Sequence, residues 1–156
     1  MSKMKYKNGF ICGFFYLIHD GHIDILRQAK EQCEYLIVGV GTDEFMRKRK
    51  GRNSVLTYEQ RWTVVNAIRY VDEVVPEEDL DKLAAWEKYQ FDVMFAGDDH
   101  LKELIYIDAT KRLKEHGVAT IYIPRRLNIS STKLREKVLK IQMQKWIKIS
   151  GANHVE

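Results

Sequence analysis

Two histidines, His19 and His22, flank Gly21 at the end of an apolar run, Gly13-Phe14-Phe15-Tyr16-Leu17-Ile18. Just after them Ile23, Leu26 and Ala29 recur at helical spacing. With Asp20 as the expected N-cap, both imidazoles fall at or before the first helical turn, where free backbone N–H groups and the helix dipole favour an anion. Gly21 lets the chain turn sharply and lets a ligand approach the backbone. Two imidazoles there can donate hydrogen bonds to phosphate oxygens that gain charge during phosphoryl or nucleotidyl transfer. A lone histidine would read as a cap or a satisfied surface residue; a pair around glycine at a strand-to-helix turn reads as an anion site.

The elements that must position this pair alternate strand with helix. Residues 9–14 read as a buried strand, and the helix after the histidines ends near Cys33. The run 35–40, rich in β-branched residues, reads as a strand covered on both faces. A basic loop, Arg47 to Arg52, follows. Next comes a helix over 58–70 with Trp62, Val65, Ala67 and Ile68 on its apolar side, then a strand over 71–75 ended by Pro76. Residues 79–89 form a helix capped by the acidic run 77–79, 91–96 a strand, 101–116 a helix stopped by Gly117, and 118–123 a strand ended by Pro124. Ser130, Ser131 or Thr132 caps a final helix. This alternation predicts an α/β fold with a doubly wound parallel sheet, whose ligand lies beyond the carboxyl ends of the strands. That rule gathers the histidine turn, Gly41-Thr42-Asp43 with the basic loop, Gly97-Asp98-Asp99 and residues 125–132 around one crevice.

At 156 residues and 45% hydrophobic composition the chain fits one globular domain. Residues 7–132 form it, 133–150 are an amphipathic C-terminal helix packed on it, and 151–156 a tail. Cys12 and Cys33 have no metal-ligand spacing, so both read as small core residues in a reduced compartment. No membrane-length apolar stretch or signal peptide is evident, and a cytoplasmic location follows. The net charge of +4 comes from clusters at 47–52, 125–126 and 133–148 without interleaved aromatics, which suits a small polyphosphate better than a nucleic acid. The lysine-rich C-terminal helix with Trp146 could lie on a membrane, but packing on the domain or a second subunit is the commoner use. Trp62 and Trp86 read as core or interface residues.

Several motifs in order carry a family resemblance: His19 to His22 as HxGH, Thr42-Asp43-Glu44-Phe45, Lys50-Gly51-Arg52, Tyr58-Glu59-Gln60-Arg61, residues 68–76, Gly97-Asp98-Asp99, Pro124-Arg125 and Ile129-Ser130-Ser131-Thr132. Over most of 13–135 the chain resembles the cytidylyltransferase branch of the HxGH nucleotidyltransferases, most of all bacterial glycerol-3-phosphate cytidylyltransferases. The resemblance implies a Rossmann-like nucleotidyltransferase fold, CTP with Mg²⁺, a small alcohol phosphate as acceptor, and a homodimer with 68–75 near its interface. It implies that His19, His22 and Lys50 are catalytic. Phe14, Phe15, Gly21, Asp99, Arg125, Ile129, Ser130, Ser131 and Thr132 would bind the nucleotide, and Arg49, Lys82 and Arg126 would meet substrate, with no protein-held metal. The usual Gly-Thr-Phe-Asp before HxGH is here Gly13-Phe14-Phe15-Tyr16, and His100 replaces the usual aromatic after Gly-Asp-Asp. The extra Arg126 predicts an acceptor bulkier or more anionic than glycerol phosphate. An adenylyltransferase of the same fold and a non-catalytic nucleotide-binding module are the alternatives, the latter favoured by Tyr16.

Overall fold

The computed structural model describes residues 4–125 and 128–151. Five parallel strands run in the order β3-β2-β1-β4-β5: β1 Tyr6–Gly13, β2 Cys33–Gly41, β3 Glu73–Glu77, β4 Val93–Gly97 and β5 Ala119–Ile123. The chain winds outward from β1 to β3, returns across the sheet to β4 and winds out again to β5. The switch in strand order therefore lies between β1 and β4, where a ligand crevice is expected. The register brings Gly13 opposite Val40 on one side of this point, and Gly97 opposite Ile123 on the other.

Alternate residues of each strand serve the two faces, so both are apolar. Ile11, Val38 and Phe95 pack with Leu26 and Ala29 of helix α1 (Asp20–Lys30) and Val65 of α3 (Tyr58–Asn66). Phe10, Ile37 and Met94 pack on the other face with Tyr106 and Leu113 of α5 (Leu104–Glu115), joined by half-buried Trp86 of α4 (Lys82–Tyr89). The expected α/β class and parallel sheet are present.

Several local expectations need correction. The basic residues 47–50 are not a loop but the last turn of helix α2 (Asp43–Lys50). Thr42 caps that helix by accepting from the Phe45 N–H, and acidic residues at its start with basic ones at its end complement the helix dipole. Cys33 opens β2 rather than ending α1, and α3 stops at Asn66. Trp62 is 37% exposed, while the inward positions of α3 are Arg61 and Val65. Pro76 lies inside β3, where an edge strand tolerates the missing donor. Asp81, not the run 77–79, caps α4.

Helix α6 (Ser131–Ser150) is capped by Ser130. None of its residues is buried, and Val138, Leu139, Ile141, Met143, Trp146 and Ile149 are exposed, so beyond its first turn it does not pack on the domain as expected. Among the described residues no helix is long and apolar enough to cross a membrane.

Candidate active site

The carboxyl ends of the strands open into one crevice of about 500 Å³, within the usual range of small-molecule sites. Its histidine wall is built by an unusual cap. Asp20 is not the N-cap of α1; His19 is. The Gly21 N–H donates to His19 Nδ1 at 3.0 Å, and the His19 N–H donates to His22 Nδ1 at 3.2 Å. The two histidines thus form a reciprocal capping box. Because each Nδ1 accepts a backbone N–H, each neutral ring carries its proton on Nε2 and keeps that N–H as a donor.

Burial, the neighbouring His19 and Arg125 push the His22 pKa down to about 3. Burial also lowers that of His19, with Asp20 opposing and Arg125 adding to the shift. The pair is therefore neutral near pH 7. Gly21 is not at a positive φ; it is needed because a Cβ there would lie 2.7 Å from the His19 ring and 3.1 Å from Ile129.

The turn from Phe14 to Ile18 is held from three sides. Phe15 sits at φ 51, a region unusual for a residue other than glycine, and its buried ring lies 5.2 Å from His22. Fully buried Arg61 donates to Phe14 O at 2.7 Å, Gly41 O at 2.6 Å and Leu56 O at 3.1 Å, and pairs with Asp43 at 2.8 Å. Burial disfavours the Asp43 charge, but the Tyr58 N–H and Arg61 outweigh it and hold the carboxyl below its ordinary range. Ser131 Oγ donates to Leu17 O at 2.9 Å and accepts from Leu17 N–H at 3.3 Å.

The opposite rim is basic. The Lys50 ammonium lies 6.0 Å from the Phe14 ring centre, and Phe14 packs on Phe45. Gly51, at φ 70, ends α2 in the left-handed cap that favours glycine, and Arg52 stacks over Tyr16 at 4.6 Å. The two aromatics that depart from the usual motif therefore carry the two ends of the Lys50-Gly51-Arg52 segment.

The expected residues His19, His22, Phe14, Phe15, Arg49, Lys50, Lys82, Asp99, Arg125, Ser130, Ser131 and Thr132 all line this crevice. Gly21 and Ile129 instead border a smaller hollow behind His19 and Arg125. Ser130 Oγ is occupied in capping α6 and Ser131 Oγ in holding Leu17. Arg126 lies outside the described residues. Sequence reasoning missed the roles of Arg61, Tyr16 and Arg52, and a polar cluster of Cys12, Glu77 and Tyr106 around Lys82. The spacing Tyr58, Arg61, Val65 was the available signal for Arg61, since it places a charged residue on an inward helix stripe.

The cytidylyltransferase-like family model matches residues 10–137. The chain belongs to the cytidylyltransferase-like family. It is 35% identical over 133 residues to the glycerol-3-phosphate cytidylyltransferase of Bacillus subtilis, covering 81% of this chain and 92% of that one. The Staphylococcus aureus glycerol-3-phosphate cytidylyltransferase is 37% identical over 127 residues, with 81% and 90% covered. The fold is also that of a lipopolysaccharide core biosynthesis protein from Thermoplasma volcanium, with a TM-score of 0.66 at 18% identity over 80% of this chain and 99% of that one. In this cytidylyltransferase-like chain the shared architecture thus carries a histidine capping box, a basic helix end and a hydroxyl-rich helix start around one opening.

Proposed function

We propose that this protein transfers the cytidylyl group of CTP to a small alcohol phosphate, forming a CDP-alcohol and pyrophosphate. The observation that carries the reading is the histidine capping box, which turns two Nε2–H donors toward a crevice ringed by Lys50, Arg49 and Arg125. An acceptor phosphate oxygen bonds to the α-phosphorus while the bond from that phosphorus to the bridging oxygen of the β-phosphate breaks. The acceptor is already an anion, so no general base is needed; positioning and charge stabilisation carry the reaction. Neutral imidazoles donating from His19 and His22 meet the charge developing on the α-phosphate, and Lys50 and Arg125 offset that of the leaving pyrophosphate. Among the described residues no group of three or more His, Cys, Asp or Glu side chains is arranged to hold a metal. Mg²⁺ belongs to this proposal as the counter-ion of the CTP triphosphate, where it would offset phosphate charge.

The proposal includes a homodimer in the cytoplasm that supplies activated units for a cell-surface polymer or lipid head group. Light scattering on the purified chain tests the dimer. The activity is tested by pyrophosphate release with CTP or ATP against a panel of alcohol, polyol and amino-alcohol phosphates. Release that requires both CTP and an acceptor supports the reading, and ATP-specific release reassigns the base. Tight CTP binding without release across the panel favours the non-catalytic module, for which Tyr16 in place of the usual acid is the argument.

A further inference from the structure

Five cations and a glycine make up residues 47–52, and the structure sorts the cations into two groups. Lys48 is drawn off to Glu44 at 3.1 Å and Arg47 lies 3.5 Å from Asn53 Oδ1, both outside the opening. Arg49, Lys50 and Arg52 line it. Arg52 is set apart by what holds it. The left-handed cap at Gly51 turns the chain out of α2, and the Arg52 guanidinium comes to rest 4.6 Å from the centre of the Tyr16 ring, itself only 7% exposed. Among the described residues no carboxylate pairs with Arg52. The ring face therefore fixes this cation without cancelling its charge. Next to Tyr16, the N–H and C=O of Leu17 both bond to Ser131 Oγ, in the first turn of α6. Tyr16 and Arg52 thus stand on the side of the crevice where α6 begins, and Ser130, Ser131 and Thr132 line the same opening.

We infer that Tyr16 is a positioning residue, whose ring holds Arg52 by one face so that the guanidinium edge grips the terminal phosphates of CTP. The inference rests on the cytidylyltransferase reading above. Stacking occupies the flat face of a guanidinium and leaves its five N–H donors free in the plane. Two of them can meet two oxygens of one phosphate, a bidentate geometry that an ammonium lacks. With the α-phosphate at the histidines, the phosphates beyond it meet the start of α6, where free N–H groups favour an anion, and Arg52 beside it. A cation already immobilised on a buried ring loses less freedom on binding than an unsupported side chain does. An acid at position 16, as in the usual motif, would take the same donors for itself. Tyrosine leaves them to the substrate.

The test is calorimetry of the full chain with CTP and Mg²⁺, and with CMP read by its displacement of CTP. Arg52→Met should weaken CTP binding about tenfold or more, while CMP, which lacks the terminal phosphates, changes by less than about twofold. Tyr16→Leu should weaken CTP binding about 3- to 30-fold, the strength of one cation–π contact, and again spare CMP. Tyr16→Phe, which keeps the ring, should bind CTP as the unaltered protein does. In the double variant Tyr16→Leu/Arg52→Met the two losses should not add, because Tyr16 acts through Arg52. Full addition overturns the inference, as does CMP weakened as much as CTP. So does unchanged CTP affinity in Arg52→Met or in a folded Tyr16→Leu. If Tyr16→Leu does not fold, Arg52→Lys decides: an ammonium offers neither flat face nor fork, and CTP bound as tightly as by the unaltered protein overturns the inference. These affinities are read without an acceptor, so they are distinct from the transferase reading, which fails instead when no acceptor gives pyrophosphate release. Absence of CTP binding by the unaltered protein overturns both.

Discussion

Replacing Arg61 by Met should unfold this protein at markedly milder conditions while leaving its core volume nearly intact. The guanidinium is fully buried and spends its donors on Phe14 O, Gly41 O, Leu56 O and the Asp43 carboxylate. It thereby ties the ends of β1 and β2 to α3. Methionine fills much of the space but leaves three carbonyls without that donor, at about 1–3 kcal/mol for each one that water cannot reach. The side chain of Asp43 is 34% exposed and regains solvent, so the charge itself contributes less than a sealed pair would. Together these give a loss of about 3–5 kcal/mol. At about 2–4 °C per kcal/mol for a chain of this size, the melting temperature should drop by about 6–20 °C. Urea denaturation followed by circular dichroism measures the free-energy loss, and thermal denaturation the shift in melting temperature. Arg61→Lys should recover little, because one ammonium cannot span two strand ends and a carboxylate. Asp43→Asn should cost less than Arg61→Met. A loss below about 1 kcal/mol in Arg61→Met would refute the view that this side chain holds the turn.

Three other perturbations follow from the same geometry. His22→Ala should lower turnover by about 10²- to 10³-fold, by analogy with the loss of one oxyanion donor, with CTP affinity changing far less; near-normal turnover would remove His22 from the chemistry. Below pH 6.5 the unfolded chain protonates His22 while the folded chain resists until about pH 3. Stability tied to this group is thus complete above pH 6.5 and lost on acidification toward pH 3, by about 1.4 kcal/mol per pH unit, so denaturation midpoints at pH 7.5 and 5.0 should differ less in His22→Gln. Gly41→Ala sets a Cβ 2.3 Å from the Phe14 ring, which must then leave its place between Phe45 and Lys50. The expected result is weaker substrate binding measured by calorimetry, and unaltered affinity would show that the ring's position is irrelevant.

The sheet was legible because β2 and β4 are short apolar runs, and helices such as α1 and α5 repeat apolar residues at helical spacing. The basic segment misled because α2 has only Phe45 and Met46 to bury, so charge concealed its periodicity while Thr42 marked its start. Arg61 was missed for a related reason: a charged residue is read as outward unless its carbonyl partners, 5, 20 and 47 residues away, are known. The histidine pair was found by its spacing, but its capping geometry was not, since imidazole is rarely credited as an N-cap. The Lys82 cluster joins Cys12 of β1, Glu77 of β3 and Tyr106 of α5, and only the winding of the sheet brings them together.

The paired hydrogen bonds between Leu17 and Ser131 join positions 114 residues apart. During synthesis the five strands and the helices that cover them are complete before Ser131 leaves the ribosome, so the sheet can fold while the histidine turn still lacks its brace. The order of manufacture thus separates the scaffold from the reactive centre. A nascent chain arrested before position 131 would lack the brace on the histidine turn, and the first turn of the last helix, rather than any strand, completes the proposed site.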